Sequence, residues 1–398
     1  MSSEGARLTG GSGEAETAGQ SSGDGWPLTT VLIRGTGLLG ASIGLGLRAA
    51  GRQVWLSDPS PTARQIAEDI GAGTRWQPEQ QTDLVVIAAP PEAAADEVEL
   101  ALASHPRAVV VDIASVKGAV FSALWQRTAD AEALITRADL ARYVGTHPMA
   151  GRERSGPVAA RGQLFTSMPW VICPAEDPET GEQVPSQAAV AAAEQLGHLL
   201  GASVHRMAPS FHDESVALIS HLPQVAASLV ASRLQDTPAD ALALSGNGLR
   251  DVTRIAASDP NLWVQILTGN ASAVLEILYG LREDVQRLIG TLESPDAPGA
   301  QADLAQLIAE GNAGVARIPG KHGAPPRSFA VVTVIVDDRP GQIAALLNDV
   351  AAAGVNLEDL RMEHSAGHEV GMVEVSVLPG RREELVRALT EQGWKVIT

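Results

Sequence analysis

The sequence predicts three structural parts: an α/β domain with a parallel sheet, an all-helical domain, and a C-terminal domain with the element order βαββαβ. Three observations predict this division. Short apolar runs alternate with amphipathic stretches from residue 28 to about 207, long helical periodicities fill 208–318, and strand and helix patterns alternate again in 328–398. A chain of 398 residues is also too long for one ordinary hydrophobic core.

The first domain follows a tail, residues 1–27, that is rich in Gly, Ser, Ala and Glu and is predicted to be disordered. Because the predicted strands alternate with helices, we expect a parallel sheet that is covered on both faces. The predicted strands are 31–34, 54–57, 84–89, 109–113, 170–174 and 202–206, and the helices quoted with them are 38–50 and 188–200.

The helical domain is predicted from three long periodic stretches, 210–234, 239–257 and 261–292. Its Ala-rich apolar faces indicate burial against a second subunit, so we expect a homodimer. Residues 319–327 are rich in Pro and Gly and are predicted to be a linker. The C-terminal pattern is typical of a ferredoxin-like domain, with strands at 329–336, 355–362, 369–377 and 394–397 and helices at 341–353 and 381–392.

Composition excludes several classes of partner. The chain has 29 Lys and Arg against 47 Asp and Glu, without a basic stripe, so no nucleic acid is expected. Cys173 is the single cysteine, which excludes an intrachain disulfide and a multi-cysteine zinc site, and no HExxH motif suggests another metal. With no secretory signal and no uninterrupted apolar run of about 18 residues, we expect a cytoplasmic protein without a membrane segment.

The run Gly35-Thr36-Gly37-Leu38-Leu39-Gly40 follows the first predicted strand and opens the first helix. The first glycine permits a tight turn, the second lets the backbone approach a pyrophosphate, and the third lets helix and strand pack closely. Asp58 ends the second strand, where a carboxylate can bind an adenosine ribose. The pattern predicts a Rossmann-type domain that binds NAD, with NADP kept open by Arg64, against the alternative that the glycines only shape a turn.

Four further clusters stand in fixed order: Asp112-Ile-Ala-Ser115-Val-Lys117, Thr146-His147-Pro-Met-Ala-Gly151-Arg-Glu153, Ser220-His221-Leu-Pro223-Gln224, and Thr253-Arg254-Ile-Ala-Ala-Ser258-Asp-Pro260-Asn-Leu-Trp263. In these residues the chain resembles the prephenate/arogenate dehydrogenase family over about 30–290. The resemblance implies that NAD oxidises and decarboxylates a cyclohexadienol, prephenate, to 4-hydroxyphenylpyruvate, CO2 and NADH in tyrosine biosynthesis.

The resemblance also assigns roles. It places His147 and Ser115 at the substrate hydroxyl and Arg254 on a substrate carboxylate, although which carboxylate stays open. Imidazole titrates near neutral pH, which suits His147 as the base. Alternatives remain: His147 could cap a loop, Ser115 could be a helix N-cap, and Arg254 could pair with a neighbouring aspartate.

Two of the substrate-binding assignments have structural alternatives, and a third bears on the choice of substrate. His221 could be a hydrogen-bonded core histidine, and Glu153 could be a surface charge. Many prephenate-using relatives have His at the position of Gln224, whose neutral amide makes the amino acid arogenate a credible second substrate. Prephenate stands first and arogenate second.

Residues 328–398 resemble an ACT domain, a regulatory module that binds amino acids, through the turn Asp337-Asp-Arg-Pro-Gly341-Gln342 and Gly354. The resemblance implies tyrosine as effector; the alternative is a domain that only pairs subunits through its sheet. Two rival functions remain. A β-hydroxyacid dehydrogenase would place a catalytic lysine in 210–234, which contains none, and a non-catalytic sensor would bind NAD without turnover.

Overall fold

The computed structural model describes residues 28–151, 156–319, 328–364 and 370–397. They form two compact units. The first comprises the described residues up to Ser232 together with Ile255–Leu278, and the second comprises Arg233–Arg254 and the described residues from Tyr279 onward. The predicted tail, Glu153 and all but the first residue of the predicted linker lie outside the described residues.

An eight-stranded sheet forms the centre of the first unit, in the order β3-β2-β1-β4-β5-β6-β7-β8. Neighbouring strands from β1 to β6 are parallel, whereas β7 pairs antiparallel with β6 and parallel with β8. The expectation of a wholly parallel sheet is therefore corrected at its last two strands. The strands are β1 (Thr30–Arg34), β2 (Gln53–Ser57), β3 (Thr74–Arg75), β4 (Leu84–Ile87), β5 (Val109–Asp112), β6 (Tyr143–Pro148), β7 (Pro169–Cys173) and β8 (Ser203–Arg206).

Helices cover both faces of this sheet, because successive strand residues point to opposite sides. Val31 and Ile33 belong to one core, with buried residues of α1 and α5, while Leu32 belongs to the other, with residues of α3 and α4. This is the alternation that the apolar runs predict. The helices are α1 (Leu38–Ala49), α2 (Pro61–Asp69), α3 (Pro91–Ser104), α4 (Gly118–Arg127) and α5 (Gln187–Leu199).

Beyond β8 the described chain is helical as far as Val315. The predicted helix 210–234 is present with a π turn, Ala217–His221, in its middle. The predicted helix 239–257 is wrong as one element, because residues around Gly246 interrupt it, and 261–292 breaks at Asn270. The helices are α6 (Pro209–Val216), α7 (Leu222–Ser232), α8 (Ala239–Leu242), α9 (Asn247–Thr253), α10 (Pro260–Gly269), α11 (Ala271–Glu293) and α12 (Ala300–Val315).

The continuous helical run Pro209–Ser232 corrects one expectation. With 24 residues it is long and apolar enough, by length and composition alone, to cross a membrane, and only 28% of its most apolar window is buried. Its polar residues His212, Asp213 and His221 are nevertheless buried within the first unit. Since these buried polar side chains hold the run in the first unit, its length and composition are weak evidence for a membrane span.

The second unit ends in a four-stranded antiparallel sheet in the order β10-β11-β9-β12. Val332, Val334 and Val336 alternate along β9 and pack in one core with Leu346 of α13 and Leu385 of α14. The predicted order βαββαβ is present. The elements are β9 (Ala330–Asp337), α13 (Gln342–Ala352), β10 (Asp359–His364), β11 (Val370–Val377), α14 (Arg382–Glu391) and β12 (Lys395–Ile397).

Candidate active site

The glycine-rich run forms the turn between β1 and α1. Gly35 has φ of +102°, a conformation that L side chains rarely adopt, and a Cβ there would collide with the carbonyl oxygen of Ala88. A Cβ on Gly40 would collide with the carbonyl oxygen of Gly35, whereas a Cβ on Gly37 would have nothing within 4 Å. Gly35 and Gly40 are thus needed by the fold itself, while Gly37 leaves open space at the start of α1.

That open space suits a pyrophosphate. Gly37 is the N-cap of α1 and offers no side chain to bind the first-turn N–H groups. These groups lack partners within a helix and point at whatever lies before it, so the helix start is an anion site. The residues present therefore fit a bound dinucleotide.

Asp58 organises this loop from the end of β2. Its Oδ2 accepts hydrogen bonds from the Thr36 N–H at 2.6 Å and the Thr36 hydroxyl at 2.8 Å, and its Oδ1 accepts one from the Ser60 N–H at 2.7 Å. Arg64, the residue that left NADP as an alternative cofactor, pairs with Glu68 at 3.0 Å. The carboxylate at this strand end favours a ribose with a free 2′-hydroxyl over one with a 2′-phosphate.

His147 lies near the carboxyl end of β6. Because β1, β4, β5 and β6 run parallel in that order, the carboxyl end of β6 lies at the same edge of the sheet as the end of β1, where the glycine loop begins. Its Nδ1 lies 2.9 Å from Nε2 of His212, and Nδ1 of His212 lies 2.7 Å from Oδ1 of Asp213. These three side chains form one hydrogen-bonded chain. We call it the His–His–Asp chain.

The direction of each hydrogen bond follows from whether each group can donate or accept. An ionised carboxylate only accepts, so Nδ1 of His212 carries the proton and its Nε2, in the neutral ring, accepts from Nδ1 of His147. The neutral His147 ring then has its lone pair on Nε2. That nitrogen is the one on the His147 ring that can accept a proton.

Burial lowers the pKa of His147 well below 6.5, and the electrostatic effects of His212, Lys117 and His221 lower it further. Burial raises the pKa of Asp213, but the hydrogen bonds from His212, Lys117 and Gly118 outweigh it and lower the pKa overall. His147 is therefore neutral and Asp213 charged at neutral pH. A neutral imidazole beside a charged carboxylate can accept a proton, as a general base must.

Asp213 also caps α4. Its carboxylate accepts hydrogen bonds from the N–H groups of Lys117 at 2.9 Å and Gly118 at 2.8 Å, at a helix start where the N-cap residue supplies no side-chain bond. The alternative that Ser115 is the N-cap of this helix is wrong, because Lys117 holds that position. Ser115 lies half-buried in the loop between β5 and α4.

A second buried network lies beneath the His–His–Asp chain. The ammonium of Lys117 pairs with Asp112 and donates to the carbonyl oxygen of Thr146 at 2.7 Å, and the hydroxyl of Tyr143 donates to Asp112 at 2.7 Å. The side chains of Lys117 and Asp112 are 1% and 0% exposed. Burial raises the pKa of Tyr143, and the charge of Asp112 adds to that effect, so the phenol stays protonated.

His221 and Gln224 are both buried on the helical run. Nδ1 of His221 lies 3.3 Å from the amide nitrogen of Asn270, which donates to the carbonyl oxygen of Asp213 at 2.7 Å. Burial lowers the pKa of His221 even though Asp213 opposes this shift. The Gln224 amide makes two long contacts, with Ser228 at 3.4 Å and Ser258 at 3.3 Å.

The structure thus brings His147 together with His221 in the first unit, with Ser115 two residues before Lys117. Arg254 belongs to the second unit, where its side chain is exposed at the start of the turn Arg254–Ala256. The assignment of Glu153 lies outside the described residues.

Sequence reasoning did not assign roles to His212, Asp213, Lys117 and Asp112. A signal for the first two was available: His212 and Asp213 belong to three adjacent ionisable residues in the first turns of a largely apolar helix, and Asp213, Ala217 and His221 recur every fourth residue. The pair Asp112 and Lys117 stood in a quoted cluster, but only the serine between them was assigned.

The nucleotide-binding domain of the prephenate dehydrogenase family matches residues 43–196, and its dimerization domain matches residues 208–309. The probable prephenate dehydrogenase NovF of Streptomyces niveus is 36% identical over 92% of this chain and 99% of its own length. Two solved structures are similar in fold. Prephenate dehydrogenase of A. aeolicus, in complex with hydroxyphenyl propionate and NAD+, is 24% identical with a TM-score of 0.61 over 72% of this chain and 97% of its own. Synechocystis arogenate dehydrogenase is 25% identical with a TM-score of 0.56 over 71% and 99%.

A Rossmann-type sheet with a glycine loop before its first helix is typical of a nicotinamide-dependent dehydrogenase, and it is followed here by a helical dimerization domain. With both domains matched and a relative 36% identical over nearly its whole length, the chain belongs to the prephenate dehydrogenase family.

Two glycine-to-alanine variants should separate cofactor binding from folding. In Gly37→Ala the new methyl enters the open space before α1, so we expect an unchanged melting temperature of the cofactor-free protein and NAD affinity lower by about tenfold or more. In Gly40→Ala the methyl collides with the Gly35 carbonyl, so we expect a lower melting temperature as well. Calorimetric titration with NAD and thermal unfolding check both. Equal NAD affinity in Gly37→Ala and the unchanged chain would contradict this assignment.

Proposed function

We propose that this chain is an NAD-dependent prephenate dehydrogenase, which converts prephenate to 4-hydroxyphenylpyruvate, CO2 and NADH in L-tyrosine biosynthesis. The observation that carries the proposal is the His–His–Asp chain at the sheet edge that also holds the glycine loop. It provides one basic ring nitrogen, Nε2 of His147, at the edge where an α/β domain binds its ligands.

The reaction asks little of the protein beyond position and one proton. NAD, when bound, supplies the hydride acceptor. Nε2 of His147 takes the proton of the substrate hydroxyl, and the positive charge that develops on its ring is stabilised through His212 by the carboxylate of Asp213. Loss of CO2 makes the ring aromatic, and this drives the reaction. No further acid is therefore required.

The remaining site residues are proposed as substrate contacts. Ser115 would bind the substrate hydroxyl, and Arg254, whose planar guanidinium suits bidentate binding, a carboxylate. His221, Gln224 and Glu153 would line the rest of the site. The Gln224 amide makes only long contacts, so a substrate carboxylate could replace Ser228 as the acceptor of its N–H group, although this bond would be weaker than one from a histidine cation.

We further propose that the βαββαβ sheet of residues 328–398 is an ACT domain with tyrosine as its effector, and that 28–207, 208–318 and 328–398 are the domains. Support comes from the antiparallel order β10-β11-β9-β12 and from the turn at Gly341, where φ is +89° at the start of α13. An N–H group at such a turn can bind a carboxylate. A cytoplasmic location is proposed with the biosynthetic role.

A homodimer is proposed from the exposed apolar surface of the helical domain. Leu281, Val285 and Ile289 recur every fourth residue along α11 and are 36%, 48% and 42% exposed. Such a stripe on a helix is a typical subunit contact, and the family domain that matches these residues is a dimerization domain.

Turnover tests the proposed function directly. We expect NADH formation, followed by its absorbance, when prephenate is supplied with NAD, and a fall in kcat of about 10²- to 10⁴-fold in His147→Asn because the base is removed. His205→Asn is the matched control, since His205 is an exposed histidine on β8. Arogenate is supplied in parallel, and each substrate is assayed with and without tyrosine.

Three outcomes would contradict parts of the proposal. Faster turnover of arogenate than of prephenate would make arogenate the preferred substrate. No turnover of either substrate despite NAD binding would favour a non-catalytic sensor. Tyrosine without effect on rate or binding would remove the effector.

The acid limb of kcat/KM should lie below pH 6.5. The competent form of His147 is neutral, and its pKa is lowered by burial and then by the electrostatic effects of His212, Lys117 and His221, so the competent form persists as the pH falls below the ordinary histidine range. Initial rates at subsaturating prephenate and saturating NAD measure the limb. An acid limb at or above pH 6.5 would show that the pKa of His147 is not lowered.

The solution mass should be about twice 41.4 kDa by analytical ultracentrifugation. Val285→Asp places a charge in the α11 stripe and should shift the mass towards the monomer. Val158→Asp, at an 80% exposed position outside the helical domain, is the control and should stay dimeric. A monomeric unchanged chain would refute the dimer.

A further inference from the structure

We propose that the buried ion pair of Lys117 and Asp112 positions the catalytic base: it fixes the peptide bond before His147 at one end and the helix start that holds Asp213 at the other. The inference rests on the proposed role of His147. Lys117 and Asp112 are positioning residues here, since neither is placed in contact with substrate.

Lys117 reaches both ends of the His–His–Asp chain. Its ammonium donates to the carbonyl oxygen of Thr146, the residue directly before His147, at 2.7 Å. Its own backbone N–H donates to Oδ1 of Asp213 at 2.9 Å, the same oxygen that holds His212. One residue therefore ties the strand that carries the base to the carboxylate that orients it.

Asp112 is itself held from three directions. Oδ2 accepts from the hydroxyl of Tyr143 at 2.7 Å, Oδ1 accepts from the Ala114 N–H at 2.9 Å, and its backbone carbonyl accepts from the hydroxyl of Thr146 at 2.6 Å. These contacts join β5 to β6 around the ion pair. The lysine is consequently paired with a carboxylate that cannot shift.

Stability alone gives little reason for this pair. Two fully buried charges lose their hydration, and well-packed apolar residues of similar volume are often as stable or more so. The strand β6 also carries a glycine here: a Cβ on Gly145 would lie 3.1 Å from Cδ of Lys117. The fold thus leaves room for the lysine stem beside the residue pair Thr146 and His147.

The charges around His147 agree with this role. The groups that act on its ring are His212 and His221 from the helical run and Lys117 from the loop before α4. The charge of Lys117 is among the causes that lower the pKa of His147, so it helps to keep the base neutral. Removal of this charge would raise the pKa of His147.

The test uses the double variant Lys117→Met with Asp112→Asn, which removes the ion pair without leaving an unpaired buried charge. We expect kcat with prephenate to fall about 10- to 100-fold because the base is less well held. The KM for prephenate and the NAD affinity should stay within about threefold of the unchanged chain, since uniform binding is not lost. The acid limb of kcat/KM should move to higher pH.

Leu196→Ala in α5 is the matched control for destabilisation. Leu196 is fully buried in the core on the other side of the sheet from α4, so its truncation should lower the melting temperature while kcat and the acid limb stay unchanged. A folded double variant with the kcat and acid limb of the unchanged chain would overturn the proposal.

If the double variant does not fold, Tyr143→Phe takes its place. It removes one hydrogen bond to Asp112 and leaves both charges, and we expect a fall in kcat of about threefold or more. Unchanged kcat and acid limb in that variant would equally overturn the proposal.

Histidine ¹⁵N NMR separates this inference from the proposed function. A titration of the unchanged chain and of the variants reports the pKa of His147 without turnover, and we expect that pKa to rise in the double variant and not in Leu196→Ala. An unchanged chain that oxidises neither prephenate nor arogenate refutes the proposed function, whereas an unshifted His147 in the double variant refutes the positioning role.

Discussion

The site depends on one carboxylate, that of Asp213. It accepts hydrogen bonds from the N–H groups of Lys117 and Gly118 and from Nδ1 of His212, at 2.7 to 2.9 Å. Three donors around a largely buried carboxylate keep it ionised. The same charge therefore caps α4 and sets the tautomer of His212, so the packing of α6 against the sheet domain also orients the ring of His147. A Cβ on Gly118 would lie 3.0 Å from this carboxylate, which explains a glycine at the helix start.

The π turn at Ala217–His221 follows from the same constraint. In an α-helix eight residues advance about 80° beyond two full turns, so His221 would be turned by about that angle from Asp213 around the helix axis. A π turn needs about one more residue per turn and absorbs most of that offset. As a result, Asn270 contacts both residues: its amide nitrogen donates to the Asp213 carbonyl and lies 3.3 Å from Nδ1 of His221. The irregular backbone of the π turn thus aligns His221 with Asp213.

Much of the fold could be predicted because local signals suffice. The glycine loop, the buried strands and the change to helical periodicity each lie in one short stretch, as does the βαββαβ order. Strand β6 was not predicted, since Gly145 and Pro148 weaken its pattern and only pairing with β5 and β7 settles it. The break at Asn270 likewise depends on a distant partner, the Asp213 carbonyl.

The site was predictable to the extent that it resembled known motifs. His147 stood in such a motif, whereas His212 and Lys117 gain their roles from contacts across 65 and 29 residues of chain. Spacing along the sequence does not reveal such contacts. Buried polar residues on an apolar helix were the available sign, because they require partners that only tertiary structure provides.

The π turn also links the site to the proposed dimer. His221 is buried within the first unit, while Leu218 and Ile219 of the same turn are 56% and 62% exposed. One short irregular segment thus contacts the base network on one side and offers apolar surface on the other. A second copy that covers this surface would restrain the turn, and with it Asn270 and the carbonyl of Asp213. Assembly and alignment of the proposed base would then depend on the same turn, which accounts for exposed apolar residues beside a buried histidine.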